Sequence, residues 1–181
     1  MRTYKTEGII IKRKNFGEAD RILTVLTKNQ GKIQVKATGV RKIQSRRSSH
    51  VELLNHSTLF IYKGRGILPV LTEAETLNSF QEIKDDLTKV GFSYHLCELV
   101  DGLCAENQEN RQVFFLFRET LEYLSKEEDM VSVIHEFEAE LLTLLGFWPK
   151  NRVVKNVNTE YIIENILERR LKSKSLFSKF Q

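Results

Sequence analysis

Cysteine is almost missing from this 181-residue chain: Cys97 and Cys104 are the only two. Seven positions apart, they share one face of a helix, and with no His at ligand spacing beside them they cannot complete a tetrahedral zinc site. They are expected to be small buried apolar residues in a reducing compartment. Long apolar runs are also lacking. No stretch approaches the ~20 residues needed to cross a bilayer, and the N-terminus, with Arg2, Tyr4 and Lys5, has no signal-peptide apolar core. The expected location is the cytoplasm, with no membrane partner. Nucleophile motifs are absent as well, since His50, His56, His95 and His135 accompany no Ser or Cys motif. The carboxylate groups Asp85-Asp86 and Glu127-Glu128-Asp129 do not converge on one metal ion, because helix neighbours diverge by about 100°. They lie where helix N-termini favour acids. No catalytic residue, metal or other cofactor is expected.

Carboxylates are scarcest where cations are densest: between Arg21 and Arg65 only Glu52 is acidic. The net charge of +4 hides this segregation. Residues 1–81 hold 15 Lys/Arg against 6 Asp/Glu, 82–148 hold 5 against 15, and 149–181 hold 8 against 3. A basic front points to a polyanion as partner, and an acidic middle would repel that polyanion, so the two segments should do different jobs.

The front half carries strand punctuation. Apolar residues alternate with polar ones across Ile9 to Ile11, Ile22 to Leu26 and Ile33 to Val35, with Gly17 and Gly31 at the turns. Strands are predicted over Thr3 to Phe16, Asp20 to Thr27, Lys32 to Thr38, Ser57 to Lys63 and Ile67 to Glu75, the last interrupted by Pro69 and so an edge or a strand start. Lys32, Gln34 and Lys36 fall on one face of the third strand, with Ile33, Val35 and Ala37 on the other. Between the third and fourth strands, Arg41 to Arg47 places four cations in seven residues without apolar periodicity, which reads as a mobile basic loop. Five short antiparallel strands in about seventy residues fit a small barrel such as the OB-fold.

From Asn78 the period changes to that of helices. Asn78-Ser79 can cap a first helix, and a second steps through Leu87, Val90, Tyr94, Cys97, Val100/Asp101 and Cys104, with Leu96, Leu99 and Leu103 widening the apolar side. Further helices are predicted over Asn110 to Ser125, Met130 to Leu145 ahead of Gly146, and Thr159 to Leu171, followed by a basic tail; Asn151 to Asn158 has no pattern. The expected class is α+β: an OB-fold nucleic-acid-binding domain over 1–77, then an all-α helical bundle over 78–181. The stripe Leu87, Val90, Tyr94, Phe114, Phe117, Phe137, Leu141 and Leu145 is expected to form the bundle core.

The candidate nucleic-acid contacts are Lys12, Arg13, Lys14, Arg21, Lys32, Lys36, Arg41, Lys42, Arg46, Arg47, Lys63 and Arg65. Scattered lysines are ordinarily a solvated surface, but their density here and the lack of carboxylates favour binding. Phe16, Phe60 and Tyr62 could stack on bases, although an aromatic in a small barrel more often fills its core.

Three motifs resemble one family: EGIIIKRKNFGEADRILTVLTKNQGKIQVKATGVRK near the start, Arg65-Gly66 through LTEAETL, and FEAELLTLLGFWP from Phe137 to Pro149. In order and spacing they are similar to the RecO recombination mediators of bacterial DNA repair. The resemblance implies an N-terminal OB-fold followed by helices, and a non-enzymatic protein that binds single- and double-stranded DNA and anneals complementary strands. It further implies contact with the C-terminal tail of single-stranded DNA-binding protein, and work with RecR that assists RecA loading. Many members follow the third motif with a four-cysteine zinc module, whereas no Cys lies beyond Cys104 here. A zinc module is therefore expected to be absent and the helical domain shortened. The alternative is a general single-stranded DNA- or RNA-binding OB module with a helical oligomerisation or interaction domain.

Overall fold

A computed structural model describes residues 2–150 and 157–174. Most of the patternless stretch after Lys150 and the end of the basic tail lie outside the described residues. The chain forms two compact units, Met1–Phe80 with Ala105–Arg111, and Gln81–Cys104 with Gln112–Gln181.

In the first unit, five strands close into a barrel in the order β1-β2-β3-β5-β4: β1 Thr3–Phe16, β2 Asp20–Thr27, β3 Gly31–Ala37, β4 His56–Tyr62 and β5 Val70–Asn78. The first half of β1 pairs with β4 and the second half with β2. A register shift between Ile10 and Lys12 lets one long strand serve both neighbours, because a bulge bends and twists the strand that carries it. The strict alternation read from the sequence builds the inside: Ile10, Leu23, Val25, Ile33, Val35, Leu59, Ile61 and Leu71 are all buried in one cluster. Each such side chain contributes roughly 1.5–3 kcal/mol by leaving water.

Two expectations for this unit need correction. The fifth strand begins at Val70, three residues later than predicted. Pro69 has no N–H to give a ladder, and instead its carbonyl accepts from the Lys36 N–H at 2.8 Å, beside the parallel pair Lys36–Val70 that closes the barrel. The stretch from Thr38 to Asn55 is built of turns and a short 3₁₀ helix, Ser48–Val51, and it delivers Val40 and Val51 into the barrel core. It is not a plain loop.

The second unit is helical: α1 Gln81–Lys84, α2 Leu87–Leu103, α3 Arg111–Lys126 (whose first residue belongs to the other unit), α4 Met130–Leu144 and α5 Thr159–Leu167. Side-chain caps start three of them. Asp86 accepts from the N–H groups of Thr88 and Lys89, Asp129 from Ser132 and Asn158 from Tyr161, satisfying donors that a helix end leaves open. Phe114, Phe117, Leu121 and Leu124 of α3 and Phe137 and Leu141 of α4 are buried, with the Phe117 and Phe137 rings edge to face at 6.2 Å.

The expected stripe on α2 is wrong in part, because Leu87 is 72% exposed and Tyr94 44% exposed. The buried arc runs through Gly91, Ser93, His95, Leu96, Leu99 and Val100. Two polar residues sit on that arc, each with hydrogen-bond partners, and so hide it from a hydrophobicity pattern. Ser93 donates to the Lys89 carbonyl at 2.9 Å, and His95 is engaged as described below. The last helix is shorter than predicted: Glu168 adopts a left-handed backbone at φ 53° and ends it after Leu167.

Candidate nucleic-acid interface

Cross-strand partners in a sheet point to the same face, so the pairing fixes what the barrel shows to solvent. Tyr62 pairs with Val70, Val70 with Lys36, Lys36 with Ile22 and Ile22 with Lys14, a single outward row across β4, β5, β3, β2 and β1. Next to it lies Lys12–Thr24–Gln34, and at the hairpin end the pair Phe16–Asp20. The row carries lysines at two of five positions, and an exposed aromatic closes one end of it at Tyr62.

The corner around Lys36 is tightly arranged. Its Nζ lies 3.0 Å from Asp20 Oδ2 and 5.1 Å from the centroid of Phe16, whose ring is 47% exposed. The other Asp20 oxygen accepts from the Gly39 N–H at 2.7 Å. That hydrogen bond and the Lys36 ammonium hold the Asp20 carboxyl below its usual range. Asp20 thus fixes both the loop after β3 and the lysine that steadies an exposed ring.

The twelve candidate cations divide into three groups. Lys12, Lys14, Arg41, Lys42, Arg46, Lys63 and Arg65 are exposed. Arg13, Arg21, Lys36 and Arg47 are half-buried and engaged. Arg13 and Arg21 continue the inward-facing registers of β1 and β2 to the barrel rim, where Glu52 meets Arg13 at 2.5 Å and Arg21 at 3.7 Å. The one carboxylate in the basic interval neutralises this rim. Arg47 donates to the carbonyls of Leu71 and Thr38, each at 2.7 Å.

Lys32 departs from the expected basic face, being only 6% exposed. The segment Ala105–Arg111 lies along β3: the Asn107 N–H donates to the Lys32 carbonyl at 2.8 Å, and Gln34 Nε2 donates to Glu106 Oε1 at 2.7 Å. At Gly31 the approach is so close that a Cβ would stand 1.8 Å from the Gln108 carbonyl oxygen, at a φ of +68°. Of Lys32, Gln34 and Lys36, the segment leaves Lys36 clear. Sequence reading missed Lys5, which lies 5.6 Å over the Phe60 ring on the cross-strand pair Lys5–Phe60. Alternation along β1 could have found it.

The second unit holds one polar constellation that the sequence did not suggest. His95 Nδ1 meets Ser173 Oγ and Nε2 meets Glu138 Oε1, both at 2.7 Å, and Thr159 Oγ1 donates to the other Glu138 oxygen. The order hydroxyl, imidazole, carboxylate is that of a nucleophilic site. Here Ser173, His95, Glu138 and Thr159 are all buried, and together they tie α2, α4, α5 and the segment after α5. Beside it, Glu98 accepts from Arg169 Nη1 at 2.6 Å and from the N–H groups of Lys172 and Ser173, each at 2.9 Å. Neither cysteine forms a disulfide; Cys97 is buried, which pushes its thiol far up, whereas Cys104, expected to be buried as well, is only partly so. Among the described residues no group of three or more His, Cys, Asp or Glu is placed to hold a metal ion. No described helix is long and apolar enough to cross a membrane.

Comparison with known proteins matches residues 1–80 to the family described as Recombination protein O N terminal and residues 84–151 to Recombination protein O C terminal. Similar curated proteins each bear the name DNA repair protein RecO. That of Roseiflexus sp. (strain RS-1) is 38% identical over 82% of this chain and 52% of its own length. That of Symbiobacterium thermophilum is 30% identical over 91% of this chain and 65% of its own, and that of Acetivibrio thermocellus 35% over 82% and 59%. The chain spans about half to two thirds of the length of these relatives. With both parts matched in order and the five-stranded sheet followed by helices, this chain belongs to the RecO family of DNA repair proteins.

Proposed function

We propose that this protein is a non-enzymatic mediator of recombinational repair that binds single- and double-stranded DNA with its barrel and promotes annealing of complementary strands. The observation that carries this reading is the outward row from Tyr62 through Lys36 to Lys14, flanked by the exposed cations of the Arg41–Arg46 turn and the Lys63–Arg65 turn. Spaced lysines meet phosphates, and exposed rings offer surfaces on which unpaired bases stack. The DNA contacts in this reading are Lys12, Lys14, Lys36, Arg41, Lys42, Arg46, Lys63 and Arg65, with Arg13, Arg21 and Arg47 in supporting roles. Its domains are 1–77 for DNA and 78–181 for proteins, with residues 105–111 returning to the barrel. RecR, the C-terminal tail of single-stranded DNA-binding protein and, indirectly, RecA are the proposed partners, in the bacterial cytoplasm at the nucleoid.

The test is fluorescence anisotropy of labelled single strands across a salt series. With ~4–6 phosphate contacts, log affinity against log salt should fall with a slope of about −3 to −4. Annealing of complementary strands coated with the cognate single-stranded DNA-binding protein should accelerate in parallel. A salt-independent affinity, or annealing no faster than without the protein, overturns the reading.

A further inference from the structure

Two rows of carboxylates flank a groove between α3 and α4, a cavity of about 750 Å³ inside the helical unit. Glu119 and Glu127 stand on the α3 side, Glu136 and Glu140 on the α4 side, with Asp129 between the two helices, and among the described residues Lys150 is the single cation in the lining. Between the rims, apolar Leu116, Val133, Phe137 and Ala139 alternate with the hydroxyls of Thr120, Ser132 and Thr143, and the half-open Tyr123 ring stands at the edge. Glu136 and Glu140 are one turn apart on the same helix, a spacing at which like charges disfavour the helix that carries them. Among the described residues, Glu127, Glu136 and Glu140 form no ion pair. A partly apolar floor between two acidic rims, of which the α4 rim forms no ion pair among the described residues while Glu119 on the α3 rim meets Arg118 at 3.7 Å, has the form of a helix-receiving groove, in which anchors fill the floor and rim charges set the sign of the partner.

We propose that this groove docks a basic amphipathic helical segment of a partner protein, with apolar anchors over Leu116, Val133 and Phe137 and lysines or arginines one turn apart along Glu136 and Glu140. Four residues of helix rise about 6 Å, so cations at i and i+4 of the incoming helix match the spacing of these two glutamates. The site is separate from the DNA surface proposed for the barrel and opposite to it in charge. It therefore selects a cationic peptide and rejects both nucleic acid and acidic peptides.

The probe is a fluorescein-labelled Leu/Lys amphipathic helix of about 15 residues, long enough to hold a helix once docked, with the Leu/Glu counterpart as control. The intact chain is compared with the double variant Glu136→Lys, Glu140→Lys. A second variant, Glu82→Lys with Asp85→Lys, makes the same change of charge at exposed positions away from the groove. Circular dichroism confirms that both variants fold. The Leu/Lys helix should bind the intact chain, more weakly as salt rises. Its affinity should fall at least ~tenfold in the groove variant and less than ~threefold in the control variant. Absence of binding, equal loss in both variants, or equal binding of the Leu/Glu helix overturns the proposal. So does light scattering that finds a dimer of the intact chain lost in the groove variant, because the occupant would then be a second copy.

Discussion

Arg47 reaches from the turn after β3 to the carbonyl of Leu71 on β5, with Nη1 2.7 Å from the oxygen while Nη2 holds the Thr38 carbonyl at the same distance. It is a clamp between two strands that the barrel otherwise joins by one parallel pair. Its neighbours Arg41, Lys42 and Arg46 are exposed. Four cations that look equivalent in sequence therefore separate into one structural residue and three surface ones. Arg47→Ala leaves the carbonyl of buried Leu71, and that of exposed Thr38, without a charged donor and should cost about 1.5–3 kcal/mol in chemical denaturation. The triple variant Arg41→Ala, Lys42→Ala, Arg46→Ala should stay within ~0.5 kcal/mol per site. It should also make the salt slope for single strands shallower by about 2, at roughly 0.7 per lost phosphate contact. Equal stability of the two variants would remove the distinction.

The Lys36–Phe16 stack leads to a second expectation. An exposed ring steadied by a cation is placed to stack on an unpaired base, and duplex DNA keeps its base faces covered. Phe16→Ala should therefore weaken single-strand binding by about 1–3 kcal/mol and duplex binding much less. Lys36→Ala should weaken both, since it loses a phosphate contact as well as the support of the ring. Anisotropy titrations with matched single- and double-stranded probes check this, and a Phe16→Ala loss that is equal on both would count against stacking.

In the helical unit, core and surface are now separable residue by residue. Phe117 and Phe137 are buried against each other, so truncating either to Ala should cost about 3–5 kcal/mol. Tyr94→Ala and Leu87→Ala, which periodicity alone would rank beside them, should cost far less, under ~1 kcal/mol for Leu87, which is largely in water, and no more than ~1–2 kcal/mol for Tyr94, which is nearly half exposed. Thermal melts of the four variants decide the matter.

Much of the barrel was legible because its inner positions, such as Leu23, Val25, Ile33 and Val35, recur at every second residue of their strands. What failed did so through contacts distant in sequence. Lys32 looks exposed until a segment more than seventy positions later lies on β3, and Gly31 looks like an ordinary turn glycine although the Gln108 carbonyl occupies the place of its missing Cβ. Likewise Arg13 and Arg21 read as free cations because Glu52, which pairs with both, is far along the chain. On α2 the error had a different origin: buried His95 and Ser93 score as polar, so the apolar side, which did take in Leu96 and Leu99, was centred on Leu87 and Tyr94.

The Glu98 hub makes the helical unit sensitive to acid. Burial alone would raise the Glu98 carboxyl, but hydrogen bonds from the Lys172 N–H, the Arg169 guanidinium and Ser173 outweigh it and bring the pKa down to about 2. A carboxylate with a folded pKa below its unfolded value of about 4.3 adds its full stability above that unfolded value. The contribution is lost as pH falls through the folded value. Replacing Glu98 with Gln should therefore lower the melting temperature at pH 7, and the gap between variant and parent should narrow from about pH 4.5 and close near pH 2. The charge-linked part is on the order of 1 kcal/mol, because Arg169 is partly in water and solvent screens the pair. A gap that stays constant from pH 7 to pH 2 would mean that Glu98 holds the segment after α5 through its shape alone and that its charge contributes nothing.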